Sequence, residues 1–82
     1  MTSESALIAA LEERLQIIAD RAWYSRDAAG HLAALQAVSE RIGALSLALP
    51  APVDAQLRHF LERSSFDKAL AHLRSATSQQ GV

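Results

Sequence analysis

The stretch from Leu32 to Leu49, LAALQAVSERIGALSLAL, constrains the fold more than any other part of the chain. Its eighteen residues carry one adjacent pair of charges, Glu40 and Arg41, and little else that demands water. Leu35, Val38, Ile42, Leu45 and Leu49 recur at steps of three and four, which stacks them on one side of a helix. Beside that stripe runs a row of small residues, Ala33, Ala37, Ala44 and Ala48. Gln36, Ser39, Glu40, Gly43 and Ser46 make a narrow polar strip, interrupted by Leu32 and Leu47. A helix apolar over more than half its circumference is ordinarily buried between neighbours, so the flanking segments are expected to cover this one. It is not a membrane span, because an Arg, a Glu, a Gln and two Ser fall within a run barely long enough to cross.

Composition sets how much core the chain can build. Eighty-two residues make one domain near the lower end of what folds unaided. Of forty-one hydrophobic residues seventeen are Ala, which leaves twenty-four large apolar side chains, enough for one core. Ala and Leu together supply twenty-nine residues, against nine for Val, Ile and Thr, so an all-α fold is expected.

The flanks supply the remaining helices. Thr2, Ser3 and Ser5 offer capping oxygens, and Glu4 suits a first turn, so a helix is expected over 3–25. Its stripe is Leu7, Ile8, Leu11, Leu15, Ile18 and Ala22, with Ala6, Ala10, Ile17 and Tyr24 aligned on another side. No Glu-to-Lys or Glu-to-Arg pair four apart supports this helix, so tertiary packing must hold it. Asp27 before Ala28, Ala29 and Gly30 reads as the cap of a second helix over 28–49, reached by a tight join that makes the two helices antiparallel. Pro50-Ala51-Pro52 ends it, since a residue before proline is driven out of the α region. Asp54 caps a third helix over 54–63, carrying Leu57, Phe60 and Leu61, with Asp54, Arg58 and Glu62 as a surface ladder. The apolar phase slips at Ser64-Ser65, where Ser64 and Asp67 form an acidic capping box for a fourth helix over 65–76. Residues 77–82 lack periodicity and are expected to fray. The sequence thus predicts a single domain over 1–76, an antiparallel bundle of two long helices closed by two short ones.

Charge and cysteine content narrow the function. The net charge of −1 divides into −2 over residues 1–27, zero over 28–53 and +1 over 54–82, too weak a balance to attract nucleic acid or an anionic membrane. Without cysteine there is neither a disulfide nor a zinc–thiolate site. No cationic leader with an apolar core precedes the domain, so a cytoplasmic setting is the default expectation.

Chemistry-bearing groups are few. His59 and Glu62 share a helix face and His72 lies in the next helix, but this His-x-x-Glu occurs once and falls short of a four-ligand zinc site or a di-iron bundle. His31 is expected to pack beside Leu35 or to face water. Ser64-Ser65 is explained by capping rather than nucleophilic catalysis. Glu12 and Glu13 are adjacent, hence about 100° apart on a helix, and make no catalytic carboxylate pair. Three scattered glycines cannot cradle a phosphate, and so small a bundle is expected to lack room for a pocket of several hundred Å³. No catalytic residue, metal site, cofactor or small-molecule substrate is therefore expected.

What remains is surface. The second helix has more apolar side chain than its companions can obviously cover, which points to a non-enzymatic protein–protein interaction module: a small adaptor, chaperone-like subunit or regulator. Its expected partner is a protein, with a homodimer the expected assembly. The candidate contacts are Ile17, Trp23 and Tyr24, since aromatics dominate interface energetics, or the row Ala33, Ala37, Ala44 and Ala48 with Leu47. The alternative is a small nucleic-acid-associated regulator, in which the last two helices act as a helix-turn-helix with Arg58, His59, Arg63, Lys68, His72 and Arg74 around them.

Overall fold

Three aspartates punctuate the chain, each turning a potential helix interior into a helix start. In the computed structural model, which describes residues 3–50 and 53–80, the helices are α1 Ser3–Ala19, α2 Arg21–Arg26, α3 Ala28–Leu47, α4 Ala55–Glu62 and α5 Phe66–Gln80. No strand occurs among the described residues, and the fold is a small all-α bundle. Thr2, Ala51 and Pro52, to which the sequence assigns a cap and a corner, lie outside the described residues, as do Gly81 and Val82.

The single helix expected over 3–25 is two helices. Asp20 leaves helical geometry at φ −81° and ψ 79°, and its amide donates to the Ile17 carbonyl at 3.1 Å, closing a tight turn. Its carboxylate then accepts from the Trp23 amide at 3.0 Å as the cap of α2. Aspartate is a weak residue inside a helix and a strong one at its start for the same reason: its short carboxylate competes for nearby backbone amides.

The other two caps are where the sequence places them. Asp27 accepts from the Gly30 amide at 3.0 Å and starts α3. A Cβ on residue 30 would lie 2.2 Å from an Asp27 carboxylate oxygen, so glycine leaves room for the cap to close over it. Asp54 accepts from the Gln56 amide at 3.1 Å and starts α4. Helix α3 stops at Leu47, two residues short of the expected end. Leu49 bonds back only three residues, to Ser46, in the tightened turn that precedes Pro50.

The α4–α5 turn differs from the expected capping box by one residue. Ser64 has φ 56°, the left-handed conformation, and donates to the Leu61 carbonyl at 3.1 Å, while Ser65 donates to Phe60 at 2.8 Å. This pair of bonds is a Schellman motif with Ser64 in the position usually held by glycine. Ser65, whose carbonyl accepts from Ala69 at 2.9 Å, becomes the residue before α5. That helix continues to Gln80, beyond the expected end at Ala76 and through residues expected to fray.

Two cross-links set the direction of α3 against α1. Arg41 is ion-paired with Glu13, and His31 meets the carbonyl of Ile17, so the two helices run antiparallel. On another side of α1, Arg74 of α5 reaches Glu12 at 2.6 Å and the Arg14 guanidinium lies 4.9 Å above the Phe66 ring. Helix α4 is tied to α5 by the bond from His72 to Asp54 and by the edge of His72 against Phe60, 6.1 Å between centroids. The core is Leu7, Ala10 and Leu11 of α1, Val38 and Ile42 of α3, Leu57 of α4, and Ala69, Leu70 and Leu73 of α5. The central element is therefore α1, and α3 lies at the edge, contrary to the expectation that the others would cover it.

Because an L-residue in the left-handed region costs about 1–2 kcal/mol and glycine costs roughly 0.5–1 in unfolded-state entropy, Ser64→Gly is expected to stabilise the fold by about 0.5–1 kcal/mol. Urea unfolding measures this, and Ser64→Val should move the midpoint the other way.

Candidate partner-binding surface

Helix α3 buries one side. Val38 and Ile42 are buried with His31, and Leu35, Leu45 and Leu49 are half-buried. Stepping round the helix at 100° per residue brings up the opposite side, where Leu32, Ala33, Ala37, Ala44, Leu47 and Ala48 are all exposed. Leu47 is 90% exposed and Leu32 55%. Glu40 and Gln36 are the polar residues in the middle of that half, with Arg41 at its edge turned to Glu13. The alanine row and Leu47 thus form one continuous outward face.

The other expected contacts do not make a single exposed patch. Ile17 is half-buried and packs on the core, Trp23 is half-buried, and only Tyr24, at 56%, is well exposed. The reason is His31, which sequence reasoning left beside Leu35 or in water. It is 6% exposed and sits at the corner made by the Asp20 break. Its Nε2 lies 2.6 Å from the Ile17 carbonyl, and since a carbonyl only accepts, the ring nitrogen donates. Trp23 and Tyr24 stand edge-on to the same ring, at 5.7 and 5.5 Å between centroids. No spacing in the sequence signals this cluster, because it forms only when the chain turns at residue 20.

A second feature lies at the far end of α3. Ile42, Leu47, Leu49, Val53, Leu61 and Phe66 line an open groove of about 770 Å³ between α3 and the α4–α5 turn. The expectation that the bundle has no room for several hundred Å³ does not hold, because α4 packs on α5 and leaves one side of the C-terminal half of α3 open. Ser39, Gly43, Ser46, Arg58 and Glu62 complete the lining. The Ser46 hydroxyl donates to the Ile42 carbonyl at 2.7 Å, so this polar group is already satisfied. Gly43 is a residue the sequence could have flagged: mid-helix glycine costs about 1 kcal/mol relative to alanine, and a Cβ there would meet nothing within 4 Å.

Two of the remaining basic groups are engaged locally. His72 donates to Asp54 and Arg74 to Glu12, which removes two of the six bases assigned to a helix-turn-helix. Among the described residues no three His, Asp or Glu side chains converge as metal ligands. The expected ladder Asp54–Arg58–Glu62 does not close into ion pairs; Asp54 turns to His72 instead. Among the described residues, no helix is long and apolar enough to cross a membrane. In comparisons with known proteins, no family model, no curated protein and no solved structure matches this chain.

Two outcomes follow from these local geometries. His31→Ala should destabilise the fold by about 2 kcal/mol or more and shift Trp23 emission to the red, through lost packing around the ring. His31→Phe, which keeps the ring and removes the donor, should cost about 1 kcal/mol. The bond from His72, and then that from the Gln56 amide, hold the Asp54 carboxyl below its ordinary pKa of 3.8. A depressed folded value makes the contribution present above the unfolded pKa and lost as pH falls through the folded one. Asp54→Asn should therefore lower thermal stability above about pH 4, where the contribution is present, and flatten the decline below it.

Proposed function

We propose that this chain is a non-enzymatic protein–protein interaction module, a small adaptor, chaperone-like subunit or regulator, that self-associates as a dimer through the outward half of α3. The supporting observation is the face itself. Leu32, Leu47 and four alanines share one exposed side of a twenty-residue helix, and apolar surface gathered in one place favours a partner over water. Alanine suits such a face twice over: it is the strongest helix former, and its small side chain lets a second helix approach closely. Tyr24 at the corner offers an aromatic contact of the kind that concentrates interface energy. A cytoplasmic setting is part of the proposal.

Light scattering from low to high micromolar concentration tests it. The mass is expected to rise from one chain to two as concentration increases. A strict monomer throughout overturns self-association.

A further inference from the structure

We propose that α2 is a hinged clasp: residues 21–26 lift off the bundle as a unit while α1 and α3 stay packed, with the ring of His31 as the latch of the closed state. The proposal stands apart from the self-association reading. Nothing in α2 is anchored in the core. None of its six residues is buried; Trp23 is half-buried and the other five are exposed. Neither the core nor the half-buried hydrophobic residues packed against it include a residue of α2. A helix of this length does not persist on its own propensity, so its docking decides whether it forms. The specific contacts that dock it are the edges of Trp23 and Tyr24 against the His31 ring.

The polar bonds of α2 stay within residues 20–27. The Tyr24 amide donates to the Asp20 carbonyl at 3.2 Å, the Trp23 amide to the Asp20 carboxylate at 3.0 Å, and the Asp27 amide to the Trp23 carbonyl at 2.8 Å. Among the described residues, no hydrogen bond or ion pair ties a side chain of α2 to α1 or α3. Both ends are already hinges, since Asp20 at φ −81° and ψ 79° and Asp27 at φ −153° and ψ 78° lie outside helical geometry. The cap that starts α3 uses the carboxylate of Asp27 on the Gly30 amide, so it survives when α2 leaves.

The bundle holds together without it. The bond from His31 to the Ile17 carbonyl runs from α3 straight to α1, and the pair of Arg41 with Glu13 repeats that tie further along. Lifting α2 therefore breaks no contact between the long helices, and a segment so placed opens at far lower cost than the whole molecule. What it releases is Trp23 and Tyr24, the chain's one tryptophan and one tyrosine. These are the residue types that concentrate interface energy, so the clasp sets how much aromatic surface the molecule offers.

Native-state hydrogen exchange of the full chain, followed amide by amide by NMR, tests this. The Tyr24 and Asp27 amides should be about 100-fold or more less protected than those of Leu11 and Ile42. Low urea should hardly change their exchange, because opening α2 exposes little surface, while it speeds exchange in the core. Ile42→Val, a mild core change, should lower the protection of the Leu11 amide by about threefold to tenfold and leave the Tyr24 and Asp27 amides unaltered. Tyr24→Ala removes one edge from the latch without lowering helix propensity and should speed exchange of the Asp27 amide by about threefold to tenfold; Tyr24→Phe should not. If α2 matches α1 and α3 in protection and follows them in Ile42→Val, it opens only with the whole bundle and the clasp is wrong. Exchange of the Tyr24 and Asp27 amides at the rate of an unfolded chain also overturns it, since no closed state would exist. An Asp27 amide indifferent to Tyr24→Ala removes the ring of His31 as the latch.

Discussion

The structure depends on the burial of α1 between two neighbours. Leu7, Ala10 and Leu11 are almost completely removed from water, which requires α3 on one side and α5 on another. Once α5 lies along α1, α4 is carried with it by the short Schellman turn and the bond from His72 to Asp54. Both C-terminal helices then belong to α1, and no element remains to cover the far side of α3. The bare face of the most apolar helix is thus a consequence of which helix takes the centre.

The corner at Asp20 decides how α3 is turned. Breaking α1 there moves the Ile17 carbonyl from its ordinary helical partner to the Asp20 amide, and the ring of His31 donates to the same oxygen. A buried imidazole costs about 1–3 kcal/mol when left unpaired, and here the Ile17 carbonyl satisfies it. With Trp23 and Tyr24 packed edge-on to the ring, the start of α3 is held in one rotation. Val38 and Ile42 then face the core, and Leu47 and the alanine row face outward. A polar contact near one end of α3 accordingly sets the character of the surface along its whole length.

The two expected contact sets fared differently, for a physical reason. The row from Ala33 to Ala48 with Leu47 forms a continuous exposed face because those residues share one helix, and helical periodicity relates them without any other element. Ile17 and Tyr24 are related by periodicity only through residue 20, where α1 ends, and Trp23 turns with Tyr24 to the ring of His31. Ser64 was legible as a turn residue but not as a left-handed one. That conformation depends on where α4 stops, and helix ends are set by the tertiary docking of α4 and α5 as well as by the serine.

Local chemistry by itself determined the helical content, the caps at Asp27 and Asp54, the stop before Pro50 and the existence of an apolar excess on residues 32–49. All of these follow from interactions within a few residues along the chain: side-chain competition for backbone amides, the steric restriction before proline, and the 3.6-residue repeat. The tertiary structure alone decided that α1 and not α3 is central, that His31 is buried against the Ile17 carbonyl at the end of α1, and that a groove opens beside Gly43. These depend on which of several apolar faces pack together. Faces of similar hydrophobicity are told apart by how well the assembled helices fit one another, a property that belongs to the packed molecule and to no segment of it.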